Sequence, residues 1–303
     1  MFLAQKYCQG HGIELGAAAH NSFGLTNCLN VAPCDGVSFL HPQDMDDYQQ
    51  YVTEQVRVSG KVAKVDVIGD FQSIRMDDAS VDYLISSHVI EHVPNLFSAY
   101  IEASRVIKDG GVCFLIFPKR IAAATDRVRC LTTLDKMIDD HERNVDMTTV
   151  ESGAWRGHYQ VFSLQSMIRA INYMNSNGLG CWYIECVEET DTKVGNGHTL
   201  VLRKFERLGD GLWSDLTVFN DNFNRFLMQG QLDNALSLIK VQLSFDFFDA
   251  NKLYLASVLC RELGLESEGI EFLRQSLVVD PENEKFRSEF LALTGVHYAN
   301  PVL

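Results

Sequence analysis

The chain has 303 residues, of which 46% are hydrophobic, so its length predicts about two domains with a sizeable core. Its formal net charge of −14 argues against a broad nucleic-acid-binding surface. No apolar run approaches about 18 residues and no signal-type segment opens the chain, so we expect a cytoplasmic protein without a membrane span.

The first predicted element is a short buried strand within residues 11–16. Ile13 and Leu15 are apolar, Glu14 lies between them, and the run ends at Gly16. A strand that ends at glycine and is followed by small residues lets another molecule approach the backbone. The acid inside the strand needs a partner or a ligand when it is buried. An ordinary structural turn is the alternative interpretation.

The segments that follow alternate between strands and helices, which predicts a parallel sheet covered by helices on both faces. Residues 118–160 interrupt this alternation. The predicted elements are strands at 28–31, 65–68, 81–86, 112–117, 182–187 and 199–205, and helices at 43–58, from Pro94 to Gly110-Gly111, and at 163–175.

From residue 212 onward the pattern is helical and repeats at an offset of 34 residues, the tetratricopeptide period. We predict repeats at 216–249 and 250–283 and a capping helix at 284–294. Two repeats are fewer than usually stand alone, so we expect this module to contact the rest of the chain, a protein partner or a second copy. An unrelated helical appendage is the alternative. The matching pairs are Gly230 and Gly264, Ala235 and Gly269, Ile239 and Leu273, and Asp246 and Asp280.

Four short segments carry a family likeness because they occur together and in a fixed order. They are His-Gly-Ile-Glu-Leu-Gly at 11–16, Gly-Asp-Phe at 69–71, the run at 81–87 followed by His-Val-Ile-Glu-His at 88–92, and Arg-Val-Ile-Lys-Asp-Gly-Gly at 105–111. This order resembles the class I S-adenosylmethionine-dependent methyltransferases. The resemblance implies an α/β fold, with a Rossmann-like seven-stranded sheet, helices on both faces and a reversed final strand pair. We expect a catalytic domain at 1–211, and the helical pattern described above places the helical module at 212–303.

The resemblance also implies S-adenosylmethionine as cofactor, bound outside the carboxyl ends of the strands. It places Glu14 at the amino end of the methionyl part. One departure concerns the acid that usually follows the second strand and holds the ribose, since Val31 is followed by alanine and proline. Either Asp35 reaches back, or Asn30 substitutes, or the ribose is held less firmly. The other implied contacts are Gly12, Gly16, Ala17, Asp70, Phe71, Ser87 and His88.

Two histidines are candidates for the general base of a methyl transfer. His92, four residues after His88, is our first choice, and a histidine that merely packs a helix start is the alternative. His158 is the second candidate. We expect no metal ion, because the sequence shows no third ligand beside the histidine pair.

Residues 118–160 are expected to lie over the strand ends and form the substrate site. They resemble a segment of the same methyltransferase subgroup, which Asp126 and Arg129 match. The segment departs from that subgroup at Lys136 and Gln160, where histidines are usual, which further argues against a metal. The basic residues in this segment would bind a phosphate or carboxylate, or form a solvated face. The candidate substrate residues are Lys119, Arg120, Asp126 and Arg129.

These observations favour a methyltransferase that modifies an oxygen of a small polar acceptor, such as a sugar or activated sugar in glycan biosynthesis. A second hypothesis is a protein or peptide methyltransferase that docks its substrate through the helical repeats. A third is a cofactor-binding scaffold protein with weak catalysis. Calorimetry with the cofactor and with its demethylated product would be the first test.

Overall fold

A computed structural model describes residues 2–19, 22–40, 44–146, 148–149, 157–205 and 216–299. Seven strands form one sheet in the order β3-β2-β1-β4-β5-β7-β6. Their bounds are β1 Gly12–Leu15, β2 Cys28–Ala32, β3 Val67–Ile68, β4 Val81–Ser87, β5 Ile107–Pro118, β6 Trp182–Glu188 and β7 Gly197–Lys204.

Ten helices accompany the sheet in the part of the chain that the structure describes. Most predicted helices and strands lie within a few residues of the observed ones. The helices are α1 Phe2–Tyr7, α2 Asp44–Ser59, α3 Leu96–Val106, α4 Leu134–Glu142, α5 Leu164–Ser176, α6 Leu216–Met228, α7 Leu232–Phe245, α8 Ala250–Glu262, α9 Glu266–Val279 and α10 Glu284–Thr294.

The order of the strands confirms the predicted Rossmann-like α/β class. Strand β1 lies between β2 and β4 and is parallel to both, and β4 is parallel to β5. Strand β7 runs antiparallel to β5, which is the expected reversal near the end of the sheet. Chain connections leave β1 in opposite directions at this point, so the carboxyl ends of β1 and β4 are where such a sheet binds a ligand.

Several local predictions were wrong, each for an identifiable reason. Helix α3 is not opened by Pro94, because the side chain of Asn95 caps it by accepting a hydrogen bond from the amide of Ser98 at 3.0 Å. Helix α4 was missed within 118–160, although Thr133 caps it in the same way through the amide of Lys136. The glycine pair at 110–111 lies inside β5 and does not end α3.

The chain divides into two compact units. The first comprises residues 1–170 and 188–206, and the second comprises residues 171–187 and 207–303. The end of α5 and most of β6 therefore group with the C-terminal helices. The predicted boundary at 211/212 lies outside the described residues.

Within the second unit, the five C-terminal helices keep the period seen in the sequence. Helices α6, α8 and α10 begin at 216, 250 and 284, and α7 and α9 begin at 232 and 266. Gly230 and Gly264 have φ of 66° and 75°, so both inter-helix turns use the left-handed backbone that favours glycine. A Cβ at Gly269 would lie 2.8 Å from Cγ of Arg261, which explains the small residue in α9.

The same helices pack on strand β6 inside the second unit. The rings of Phe272 and Tyr183 lie 6.3 Å apart, and both side chains are buried. The amide of Gln275 donates to the carbonyl of Glu185 at 3.0 Å. These contacts give the C-terminal helices a packing partner within their own unit.

None of the eight cysteines forms a disulfide bond. None of the helices that the structure describes has both the length and the apolar character needed to cross a membrane.

Candidate active site

The end of β1 leaves room for a ligand at the backbone. Gly16 follows the strand with φ of 70°, and a Cβ there would lie 2.9 Å from Cγ2 of Val89. Leu15 pairs with Ser86 of the neighbouring strand β4. The exposed glycine therefore stands beside the loop that follows β4, at the edge where a parallel sheet binds ligands.

Glu14 is buried in β1 and finds a partner inside the protein. Its carboxylate accepts hydrogen bonds from the amide of Phe23 at 3.1 and 3.2 Å. Burial raises the pKa of Glu14, while the Phe23 amide and the nearby Lys193 ammonium oppose that rise. The pKa of Lys193 is lowered to about 8, mainly by burial. The Glu14 carboxylate and the Lys193 ammonium thus interact electrostatically in a largely buried environment.

The two candidates for the ribose contact, Asn30 and Asp35, differ in their hydrogen bonds. The side chain of Asn30 is buried and bridges two segments, since it accepts from the amide of Ala17 at 3.1 Å and donates to the carbonyl of Lys64 at 2.8 Å. Asp35 lies in a turn, where one carboxylate oxygen, Oδ1, accepts from the amides of Val37 and Ser38. These amides lower the pKa of Asp35. Asn30 therefore has a structural task, and Asp35 offers a charged carboxylate beyond β2.

Gly12 is not explained by a cofactor contact. It is the first residue of β1, so it lies at the amino end of the strand and away from the ligand-binding edge. A Cβ there would lie 2.3 Å from the ring of Tyr83, so the glycine makes room for that ring. The ring of Phe71 is likewise buried in the core, at 2% exposure, whereas Asp70 is partly exposed in the turn after β3.

The last residue of β4 and the residue after it present polar atoms that lack partners among the described residues. These are the hydroxyl of Ser87 and Nε2 of His88. His88 has φ of 58°, a left-handed conformation that is costly for a histidine and is typical of functional sites. Burial lowers the pKa of His88, but Glu91, whose carboxylate is 3.5 Å from Nδ1, contributes to a net increase.

A cluster of two imidazoles and two carboxylates lies next to this loop. The short helical turn at 90–92 carries Glu91 and His92, and the segment before α5 carries His158. The two imidazole rings lie edge to face, with centroids 5.1 Å apart. Oε1 of Glu91 lies 3.9 Å from Nε2 of His92 and 3.8 Å from Nε2 of His158. Nδ1 of His158 contacts Oδ2 of the buried Asp126.

The sequence pointed to both histidines but missed Glu91. Its one signal was an acid inside the apolar run at 89–93, next to a histidine. The backbone explains why these groups meet, because the amide of Gln160 donates to the carbonyl of Glu91 at 2.9 Å. This bond holds His158 against the turn that carries His92.

Two of the candidate substrate cations, Arg120 and Arg129, form hydrogen bonds within the first unit. Arg129 donates to Asp126 at 3.1 Å and to the carbonyls of His158 and Tyr159. Arg120 donates to the carbonyls of Asp126 and Arg127 at 3.3 and 3.0 Å. These guanidinium groups therefore shape the loop and hold His158. Lys119 is the third cationic candidate, and its ammonium contacts the hydroxyl of Thr190.

Lys136 and Gln160, the two residues that depart from the subgroup pattern, both lie next to the buried Asp140. The ammonium of Lys136 contacts Oδ1 of Asp140, and the amide of Gln160 lies 3.5 Å from Oδ2 of the same carboxylate. Gln160 also donates to the carbonyl of Pro94 at 2.8 Å. The two replacements are thus coupled in space, although they are far apart in sequence.

Residues 43–115 match a family model described as a methyltransferase domain. This part of the chain is a methyltransferase domain. The match spans helix α2 and strands β3, β4 and most of β5, together with the loop that carries His88 and Glu91. S-adenosylmethionine is the cofactor that such a domain implies.

Solved structures with a similar chain course include S-adenosylmethionine-dependent methyltransferases from three organisms. The one from Thermotoga maritima is 13% identical, covers 67% of this chain and 86% of its own, and has a TM-score of 0.39. The one from Methanosarcina mazei is 14% identical, covers 67% of this chain and 97% of its own, and has a TM-score of 0.38. The one from Aquifex aeolicus is 12% identical, covers 68% of this chain and 88% of its own, and has a TM-score of 0.35. A search of curated proteins finds no match. At these scores the structures carry no conclusion about the acceptor.

The residues at the strand edge fit the implied cofactor. The space over Gly16 would be filled by a Cβ, and Ser87 and His88 hold buried polar atoms that need partners. A ligand with a charged amino-acid part and ribose hydroxyls supplies such partners. Asp35 adds a carboxylate beyond β2.

Proposed function

We propose that this methyltransferase domain transfers a methyl group to a hydroxyl oxygen of a small polar acceptor, such as a sugar or activated sugar. The observation that carries the proposal is the pair formed by His158 and Asp126. A buried carboxylate that bonds Nδ1 fixes the imidazole and directs Nε2 outward, the arrangement of a general base. A hydroxyl acceptor needs such a base, whereas an amine can react in its neutral form.

The cofactor would be held at the carboxyl edge of β1 and β4 and would supply an electrophilic methyl group. Gly16 and Ala17 would let it lie on the backbone, while Ser87 and His88 would bind its methionyl part. Asp35 would bind the ribose hydroxyls, and Asn30 would keep the Ala17 turn in place. Asp70 and the backbone of Phe71 would border the adenine, and Glu14 would order the amino end through its turn at Phe23.

His92 and His158 would receive the acceptor hydroxyl at the end of the same loop. Proton removal by a placed imidazole contributes about 10²–10⁴-fold to a rate. Arg129 supports the reaction indirectly, since it fixes the backbone of His158 and Tyr159. Lys119 would contact an anionic group on the acceptor.

The proposal is tested by incubating the full chain with labelled S-adenosylmethionine and a panel of sugars and nucleotide-activated sugars. Formation of the demethylated cofactor and label in the small-molecule fraction are expected. Label in added protein or peptide would favour the second hypothesis, and cofactor binding without transfer would favour a scaffold. The C-terminal helices are proposed as a tetratricopeptide-like contact surface for a protein partner or a second copy, which light scattering of the purified chain tests.

A further inference from the structure

We propose that Glu91, His92 and His158 form a binding site for one divalent metal ion of the zinc type. Each of the three residues offers one ligand atom, and these atoms all lie within 4.8 Å of one another. Two imidazole nitrogens and one carboxylate oxygen are a donor set that binds Zn²⁺ in catalytic sites, with further positions left open. This inference departs from the sequence expectation, which found no third ligand.

Both imidazoles are already oriented as metal ligands. Nδ1 of His158 contacts the buried Asp126, and Nδ1 of His92 lies 3.1 Å from the carbonyl of Gly157. In metal sites the ligating histidine donates its other ring N–H to a carboxylate or a carbonyl, which fixes the ring. Both histidines show this outer contact, and it leaves the Nε2 atoms on the side of Glu91.

Glu91 supplies the independent observation that a ligand belongs here. The residue is 1% exposed, and neither carboxylate oxygen has a hydrogen-bond partner among the described residues. Burial of a charged carboxylate without such partners is costly. Its neighbours His88, His92 and His158 lie 3.5, 3.9 and 3.8 Å away, beyond the roughly 2.7–2.9 Å of a charge-assisted hydrogen bond.

The spacing of the donors suits an ion between them better than direct contact. A tetrahedral site with bonds of about 2.0–2.2 Å separates its ligand atoms by about 3.4 Å. The carboxylate–imidazole distances of 3.8 and 3.9 Å are slightly wider, so small side-chain rotations would close the site. The carboxylate would also neutralise part of the charge of the ion in this buried place.

An ion here would lie beside the loop that the proposed function assigns to the acceptor. Its open positions would bind the hydroxyl oxygen and lower the pKa of that hydroxyl, so that the ion would replace an imidazole in activating the acceptor. This part of the inference rests on the proposed function. The binding of the ion itself does not.

The test uses the full chain after treatment with a chelator, titrated with ZnCl₂ by calorimetry. One equivalent is expected to bind, with affinity at least about 10-fold weaker in Glu91→Gln and His158→Asn, and about 10–100-fold weaker in Asp126→Asn, which alters only the outer contact. His297→Asn removes an exposed histidine and Cys130→Ser an exposed thiol, and both should bind as the wild type does. Circular dichroism shows whether each variant is folded.

A second measurement does not depend on the variants. Cobalt(II) bound to the wild-type chain should give the spectrum of nitrogen and oxygen ligation without thiolate charge-transfer bands. Absence of binding, a thiolate spectrum, or affinity unchanged in both Glu91→Gln and His158→Asn would overturn the site. Methyl transfer measured with and without chelator then separates the two proposals: transfer without metal keeps the proposed function and leaves His158 as the base. Metal binding without any methyl transfer keeps the site and contradicts the function.

Discussion

Nε2 of His158 lies 3.8 Å from Oε1 of Glu91, although a strand, two helices and a long loop separate the two residues in the chain. His158 is oriented by its contact with Asp126, and Glu91 is buried at 1% exposure. The proposed acceptor side of the site thus combines two distant segments, of which one follows β4 and the other precedes α5.

Replacement of His158 by asparagine should reduce methyl transfer by about 10²–10⁴-fold, because the oriented proton acceptor is lost. The affinity for S-adenosylhomocysteine should change little, since the residues proposed to bind the cofactor are Gly16, Ser87 and His88. Asp126→Asn should reduce transfer in the same direction. Initial rates with the acceptor identified in the screen, together with calorimetry, measure both quantities. Undiminished turnover in His158→Asn would return the role to His92.

Gly16→Val should abolish binding of S-adenosylhomocysteine, because the added side chain fills the space over the end of β1 and meets Val89. Gly60→Val is the matched control. Gly60 has the same φ of 70°, and nothing lies within 4 Å of its Cβ position, so the backbone strain is similar and the cofactor edge is untouched. Full affinity in a folded Gly16→Val protein would rule out this cofactor position.

His198 should make the protein less stable in mild acid. Burial is the main reason that its pKa is lowered from 6.5 to about 4, and the Lys119 charge adds to this, whereas Asp191 and the carbonyl of Glu189 oppose it. Between pH 6.5 and about 4 the unfolded chain therefore binds more protons at this site, so the free energy of unfolding falls as the pH falls.

Urea unfolding at pH 7 and at pH 5 measures this effect. His198→Gln should lose less free energy of unfolding between the two pH values than the wild type does. His297→Gln, at an exposed histidine, is the control and should keep the wild-type difference. An equal loss in His198→Gln and the wild type would show that other groups carry the acid sensitivity.

Phe272→Ala should destabilise the second unit by about 3–5 kcal/mol, since it leaves a cavity against Tyr183. Met228→Ala, at a side chain that is 90% exposed, should change the free energy of unfolding by less than about 0.5 kcal/mol. Chemical denaturation monitored by circular dichroism measures both. A Phe272 variant as stable as the Met228 variant would contradict the packing of α9 on β6.

The sequence predicted the elements whose signals are local. The short run at 12–15 carries the apolar Ile13 and Leu15 and is followed by Gly16, and it forms β1. Recurrent residues at an offset of 34 predicted helix starts that the structure places at 216, 250 and 284. These signals suffice because hydrophobic periodicity and left-handed glycines act within a few residues of the chain.

The sequence could not assign the roles of residues whose partners are distant. Asn30 is a candidate for the ribose contact, and in the structure its side-chain amide bridges Ala17 and Lys64. Arg129 was a candidate for the substrate, and the structure uses its guanidinium to fix His158. A side chain with several donors or acceptors has no preferred partner in sequence, so the fold decides which one it meets.

The methyltransferase signature was therefore determined by the sequence, since four short segments occur in a fixed order along one polypeptide. The cluster that we propose as the acceptor site could be recognised only in the tertiary structure. In the sequence, Glu91 is one acid within a short segment. In the structure, the backbone amide of Gln160 donates to its carbonyl, and this hydrogen bond brings His158 close to Glu91. The physical reason is that the donors of this cluster come from segments whose proximity depends on the packing of the whole first unit, and no local pattern encodes that distance.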